Sequence, residues 1–173
     1  MKLLKWAGVL ALAIILVGCG KTPSNATPEK LLADASVVLI ASEQEILTDT
    51  TMWTITGQTI FHTNMSTKVS AADIKIGDLI SYKSEDKILE SYPAQGTVKE
   101  VFLFDDEYSL KVSAAITSFL ENQPEGDLLA FDLLSLDDKK LTAEIKKWNF
   151  EDDQVYVAEI DLETHAFEMK KRD

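Results

Sequence analysis

The chain is poor in the residues that do most metal and redox chemistry. Of its 173 residues, one is cysteine and two are histidine. A single cysteine forms no internal disulfide. With two histidines it also falls short of a four-ligand zinc site made from Cys and His. Glycine is scarce, and Gly77, Gly96 and Gly126 stand alone, so there is no glycine-rich phosphate loop. There is no Gly-x-Ser-x-Gly elbow, and the cysteine sits in an N-terminal apolar stretch with no base beside it. His62 lies in a polar strand segment and His165 in a hairpin turn, so both read as surface residues. No cofactor is expected. Basic residues are the minority, with 17 Lys+Arg against 29 Asp+Glu and a net charge of −12. That balance excludes nucleic acid as a natural partner, because phosphates need Lys and Arg. What the chain does have is 46% hydrophobic residues, enough to bury a core. Its length suits one domain or two small ones.

The N-terminus reads as an export signal. Lys2 and Lys5 precede an unbroken small-and-apolar run from Trp6 to Gly18, and no acid appears before Glu29. That run of about 13 residues has no polar face and falls short of the roughly 20 residues a bilayer core requires. It ends Leu16-Val17-Gly18-Cys19-Gly20. This resembles the lipobox of bacterial lipoproteins. The resemblance implies cleavage before Cys19, a diacylglycerol thioether on its sulfur and an acyl chain on the new amine. Two or more chains hold a protein stably on a membrane where one does not. The expected location is the outer face of a Gram-positive type cytoplasmic membrane. Without residues 1–18, 155 residues remain, with 15 bases, 29 acids and net −14. Residues 19–34 are then the lipidated cysteine and a tether. Thr27-Pro28 within them marks a possible short helix start that ends near Ala35.

Behind the tether the pattern becomes β. Val37–Ile40 is a fully apolar strand-like run, and Glu45–Thr48, Met52–Ile55 and Gln58–His62 are half-buried candidates. Ser70-Ala71-Ala72-Asp73 matches a capping box. Leu79–Lys83 and Lys87–Glu90 read as strands separated by a turn at Ser84-Glu85-Asp86, and Thr97–Phe104 as the last strand. Such short, evenly spaced strands predict a small β-barrel or rolled sheet, OB-like, over residues 35–104. From Asp105 the period changes. Tyr108, Val112, Ala115, Ile116, Phe119 and Leu120 share one helical face, behind acids placed at the helix N-terminus. Four further segments follow, separated by acidic turns, although Leu141–Phe150 fits a strand or a helix. The expected class is α+β and β-rich: the small barrel, then one helix packed on an antiparallel meander over 105–173. Residues 19–104 carry net −4 and residues 105–173 net −10.

Ile74-Lys75-Ile76-Gly77-Asp78 followed by Glu90-Ser91-Tyr92-Pro93-Ala94-Gln95 resembles the YobA-like lipoproteins, membrane-tethered Gram-positive proteins with a domain of unknown function. The likeness implies a β domain and a lipid anchor, and no activity. The closing segment, Tyr156 to Met169, is similar to the last hairpin of PepSY-type and cystatin-like modules, with His165 where such hairpins usually have Gly.

Ser91-Tyr92-Pro93 has two readings. Proline belongs at a strand end or edge, so Tyr92 either covers a barrel corner or stands out as a recognition anchor. The acidic groups Asp105-Asp106-Glu107, Asp137-Asp138 and Glu151-Asp152-Asp153 have oxygen ligands for Ca²⁺ but not EF-hand spacing. Each is also explained as a helix N-terminus or a turn, so no metal site is assigned. The chain therefore reads as a membrane-anchored extracytoplasmic lipoprotein, a non-enzymatic interaction module for a protein or peptide near the membrane. The alternatives are a small-ligand or divalent-metal binder at the barrel mouth near Trp53, Tyr82 and Tyr92, and a cell-envelope hydrolase.

Overall fold

A computed structural model describes residues 24–65, 67–123, 128–147 and 154–172. The N-terminal apolar run, Leu16, Val17, Gly18 and Cys19, and the acidic turn at 151–153 lie outside them. The structure is α+β and β-rich. A short helix, α1 (Pro28–Asp34), leads into seven strands: β1 (Ser36–Val37), β2 (Ile40–Ala41), β3 (Glu45–Thr48), β4 (Thr51–Thr54), β5 (Ile60–Thr63), β6 (Leu79–Leu89) and β7 (Ala94–Leu103). A 3₁₀ turn at Ala71–Asp73 precedes β6. The main helix, α2 (Glu107–Glu121), then leads to β8 (Leu128–Leu136), β9 (Lys140–Lys147), β10 (Gln154–Asp161) and β11 (Phe167–Lys171).

The seven strands form one sheet in the order β1-β6-β7-β4-β3-β2, with β5 also paired to β7. Its two outermost strands, β1 and β2, are consecutive in the chain and only Val38 and Leu39 separate them. The sheet therefore curls into a half-barrel until its edges lie a two-residue step apart. This corrects the reading of Val37–Ile40 as one strand. The run is split between two edges: Ser36 pairs with Ile80 on β6, and Ile40 pairs with Leu47 on β3. Val37, Val38 and Leu39 are apolar because both faces of the chain are buried there, a pattern typical of covered sheets, and Ile40 is exposed. Val38 packs inside the half-barrel with Ile46, Trp53, Ile80 and Val101. Val37, Leu39, Leu47 and Leu79 face outward onto the second sheet and helix.

The remaining strands make the expected antiparallel meander, β11-β10-β9-β8. The segment from Leu141 that fits either class is a strand through Lys147, paired to both β8 and β10. The helical face read from the sequence is the buried one: Val112, Ala115, Ile116 and Phe119 are inaccessible, and Phe119 meets Phe131 and Phe167 edge-on. One hydrophobic core joins these residues to Leu31, Val37, Leu79 and Phe104, so packing runs without a break across Asp105.

Residues 24–34, grouped with the tether in the sequence reading, belong to the fold. Thr27 caps α1 and Pro28 opens it, as the sequence suggested. Leu31 is fully buried and Ala26 nearly so. The turn expected at Ser84-Glu85-Asp86 is not a turn. Here β6 runs on to Leu89, and the pairing with β7 slips between Lys83 and Ile88, which leaves a bulge. A bulge keeps both flanking segments in one strand while bending it, which suits a curled sheet.

Two close approaches lock the architecture. Gly77 has φ +89°, and a Cβ there would lie 2.1 Å from Thr117 Oγ1 on α2. The turn before β6 thus touches the helix that carries the meander, and Thr117 Oγ1 donates to the Ile76 carbonyl at 3.3 Å. Gly96 on β7 leaves room for the Trp53 ring, 2.4 Å from where its Cβ would stand.

Candidate functional site

The outer face of the half-barrel is covered at one end and open at the other. Leu79 and Phe104 lie under the second sheet and helix. Two residues along each strand, the same face continues as Ser81 on β6 and Phe102 on β7, which are register partners. His62 on β5 pairs with Phe102 from the other side, and Lys83 pairs with Glu100. With the period-2 alternation of strands, these side chains share one surface. Lys30 of α1 overhangs it, and Thr63 and Thr67 close one end. Together they line an open groove of about 670 Å³. That volume suits a small ligand or a segment of a larger one.

The groove has an aromatic floor and a basic rim. Phe102 and Phe104 meet edge-on, with centroids 5.6 Å apart. The Lys30 ammonium lies 5.7 Å from the Phe104 ring and 2.8 Å from Asp34. Lys83 Nζ lies 2.8 Å from Glu100. Against two lysines and a histidine, the lining holds one acid, Glu100, on a chain of net −12. Under the floor, the Tyr82 hydroxyl donates to Asp49 at 3.1 Å, and Ser36 Oγ donates to the same carboxylate oxygen. Burial, and then the Asp49 charge and its hydrogen bond, push the Tyr82 hydroxyl well above its ordinary range, and the neighbouring Trp53 N–H pulls the other way. Tyr82 keeps its proton at neutral pH and acts as a hydrogen-bond donor. Asp49 and Thr50 form the tight β3–β4 turn with φ of +50° and +62°. A β-branched residue is rare in that region, and the Asp49 contacts hold the turn in place.

Ser24, the first described residue, is held beside this groove. The Ser24 N–H donates to the Asn64 carbonyl at 3.2 Å, and Asn64 Nδ2 donates to the Ser24 carbonyl at 3.0 Å. Asn64 Nδ2 also donates to Asp106 at 2.6 Å, and the Asp105 N–H donates to Asn64 Oδ1 at 2.8 Å. Asp106 caps α2 by accepting from the Ser109 N–H and hydroxyl. Burial raises the Asp106 pKa, but hydrogen bonds from Ser109 and Asn64 outweigh it, and the net shift is downward. One buried amide thus ties the entry point, the end of β5 and the start of α2 together.

The residues singled out from sequence are dispersed. Ser91, Tyr92 and Pro93 form the loop between β6 and β7, where Ser91 Oγ donates to the Pro93 carbonyl at 2.7 Å. The Tyr92 side of the hairpin is exposed together with Ile88 and Leu89. Trp53, Tyr82 and Tyr92 do not share one barrel mouth. Trp53 is buried with its ring tilted 49° to that of Tyr82 at 4.8 Å, Tyr82 lines the groove, and Tyr92 is half exposed on the hairpin. The acids of the turns act locally. Asp137 accepts from the Lys139 and Lys140 N–H groups, and Asp161 accepts from Glu163 and Thr164. Among the described residues no group of three His, Cys, Asp or Glu is placed to hold a metal ion. His165 takes φ +58°, in the left-handed region that favours glycine. Sequence reading missed the groove itself. Its trace was the alternation Glu100-x-Phe102-x-Phe104 opposite Ser81-x-Lys83, visible only once the strands are paired.

Residues 34–103 match the model of a family described as "Protein of unknown function (DUF3221)". The match takes in all of β1 to β7 and stops before α2, so it delimits the half-barrel as a domain of unknown function. No curated protein and no solved structure matches the chain.

Proposed function

We propose that this protein is a lipid-anchored, extracytoplasmic binding module without catalytic activity, and that the groove on the half-barrel is its ligand site. The groove is the single observation that carries the reading. Its floor is the half-buried Phe102 with the buried Phe104 behind it, and its rim carries two lysines of a strongly acidic protein. A concave surface lined by aromatic side chains with a few polar groups at its rim is the usual make-up of a small-ligand site. The anchor rests on Leu16-Val17-Gly18-Cys19 behind its basic and apolar leader, and on the likeness to YobA-like lipoproteins. No helix among the described residues is long and apolar enough to cross a membrane. A binding role is supported by how the polar groups are engaged. Lys83 is paired with Glu100, Lys30 with Asp34, and the Tyr82 proton is held toward Asp49.

Palmitate labelling of the full chain in a bacterial host tests the anchor. Label on the native chain and none on Cys19→Ala is expected, and equal membrane retention of Cys19→Ala after a high-salt wash overturns it. Phe102→Ala tests the site. It should leave the fold intact by circular dichroism and abolish thermal stabilisation by any ligand that stabilises the native chain. A second reading, a protein or peptide partner, is favoured by Ile88, Leu89 and Tyr92, which are each about half exposed at one hairpin end. Under that reading Tyr92→Ala, not Phe102→Ala, removes binding.

A further inference from the structure

The entry point fixes more than a tether length. Ser24 is held to Asn64 by two backbone-directed hydrogen bonds, and Asn64 directly follows Thr63, a groove-lining residue. Only four residues separate Ser24 from Cys19. Five Cα–Cα steps span at most about 17 Å. A lipid on Cys19 therefore leaves the Thr63 end of the groove within about that distance of the membrane surface. Thr67 lies at this same end, its N–H bonded to Thr63 Oγ1 at 2.9 Å, and Met65 beside it is 38% exposed. Lys30 belongs to the helix that starts four residues after Ser24, so it stays near the entry point too.

A ligand that reaches this groove from a nearby bilayer has an apolar tail and an anionic head. The half-buried Phe102 ring, backed by the buried Phe104, suits the tail. Lys30 and Lys83, drawn from their pairs with Asp34 and Glu100, and the neighbouring His62 suit an anionic headgroup. From this placement we infer that the groove takes an anionic membrane amphiphile, a lipid with a phosphate-type headgroup drawn from the membrane that carries the anchor. The inference rests on the anchored-module reading above and assigns that site its ligand class. The hairpin tip with Tyr92 lies at the far end of β6 from Leu79, and no part of it lines the groove.

The full lipidated chain is reconstituted in phosphatidylcholine vesicles that contain a phosphatidylglycerol with a photoactivatable acyl chain. Parallel vesicles carry the same photoactivatable chain on phosphatidylcholine. The anionic probe should place adducts on the peptides around His62 and Phe102, and the zwitterionic probe should place several-fold fewer. Charge reversal by Lys83→Glu or Lys30→Glu should each lower the adduct yield about fivefold, the weight of one basic residue near an anionic surface. Lys83 is exposed, so loss of folding is not expected to confound that variant. Soluble Cys19→Ala added to the same vesicles should lose most of the labelling. Equal labelling by both probes, or adducts centred on the 88–92 hairpin, overturns the inference. If no lipid adduct forms but a photoreactive residue at 62 captures a soluble peptide or sugar, the lipid assignment falls and the groove stands as a site. If neither occurs, both fall.

Discussion

The two sheets of this protein are built to different standards of regularity. The meander β8–β11 is antiparallel throughout, with two register slips between β8 and β9 and a positive φ at His165, and its β8–β9 and β10–β11 turns are closed by aspartates that accept from the turn's own backbone. The half-barrel mixes parallel and antiparallel pairing, splits one apolar run between two edges, and bulges β6. It also holds a β-branched residue at positive φ and sets a tryptophan on a glycine. Local regularity is what stability alone selects, and departures from it gather where a surface has another task. The groove lies on the irregular sheet, and the family match ends where that sheet ends. On the proposed reading, the meander and α2 are its support.

If the support role is right, the largest effects come from cutting the shared core. Phe119→Ala should cost about 3–5 kcal/mol, because a fully buried ring that meets two others leaves a cavity. Urea titration of a Trp148→Phe chain without residues 1–18, followed at Trp53, the tryptophan of the half-barrel, and by far-UV circular dichroism should show one coincident transition. Two separated transitions would divide the sheets energetically.

Gly77→Ala should cost about 2–3 kcal/mol, from a positive φ and from contact with Thr117. The double variant with Thr117→Gly should recover part of that loss. Additivity of the two single changes would remove Gly77–Thr117 as a link between the sheets.

Two aspartates should respond to acid with opposite sign. Asp106 on α2 has its folded pKa lowered, so the stability it contributes is present above about pH 4 and is lost as pH falls through the folded value. Asp78 in the half-barrel has its pKa raised by burial, although the Lys75 N–H and the Lys75 charge oppose it. Its ionisation therefore disfavours the folded state at neutral pH, and that penalty is relieved as pH drops below the folded pKa. Asp106→Asn should destabilise by about 1–3 kcal/mol at pH 7, because an amide N–H₂ replaces an acceptor facing Asn64 and Ser109. It should also flatten the acid limb of the melting curve. Asp78→Asn, which keeps an acceptor for the Lys75 N–H, should melt no lower than the native chain at pH 7 and lose its relative advantage in acid.

The smallest change tests the strained turn. Thr50→Gly should raise stability by about 1 kcal/mol, since glycine enters the left-handed region without penalty. A loss would mean that the Thr50 side chain has a contact worth more than the strain.

Much of the fold was legible because local signals and burial agree. Thr27-Pro28 opened α1, the capping box at Ser70–Asp73 closed a turn, and Val112, Ile116 and Phe119 marked the face of α2. Single-sequence periodicity fails where both faces of a strand are covered, as in Val37–Leu39, and where polar residues mark a bulge and not a turn, as in Ser84–Lys87. The groove was hidden for a related reason. It is made by register across β5, β6 and β7, and no stretch of sequence records that His62, Ser81 and Phe102 lie side by side. Gly77-Asp78 stood out early, and the structure gives its physical reason in the approach of Thr117.

On the proposed reading the half-barrel groove is the working surface and the meander its support. Photocrosslinking in intact cells tests it most directly, with benzoylphenylalanine placed at position 102 in the groove, 92 on the hairpin or 134 on the meander. Leu134 and Tyr92 are each about half exposed, so either position presents the probe to solvent. A discrete adduct at 102, with none at 134 and 92, is the predicted result. Adducts at 134 or 92 in the absence of one at 102 would contradict it.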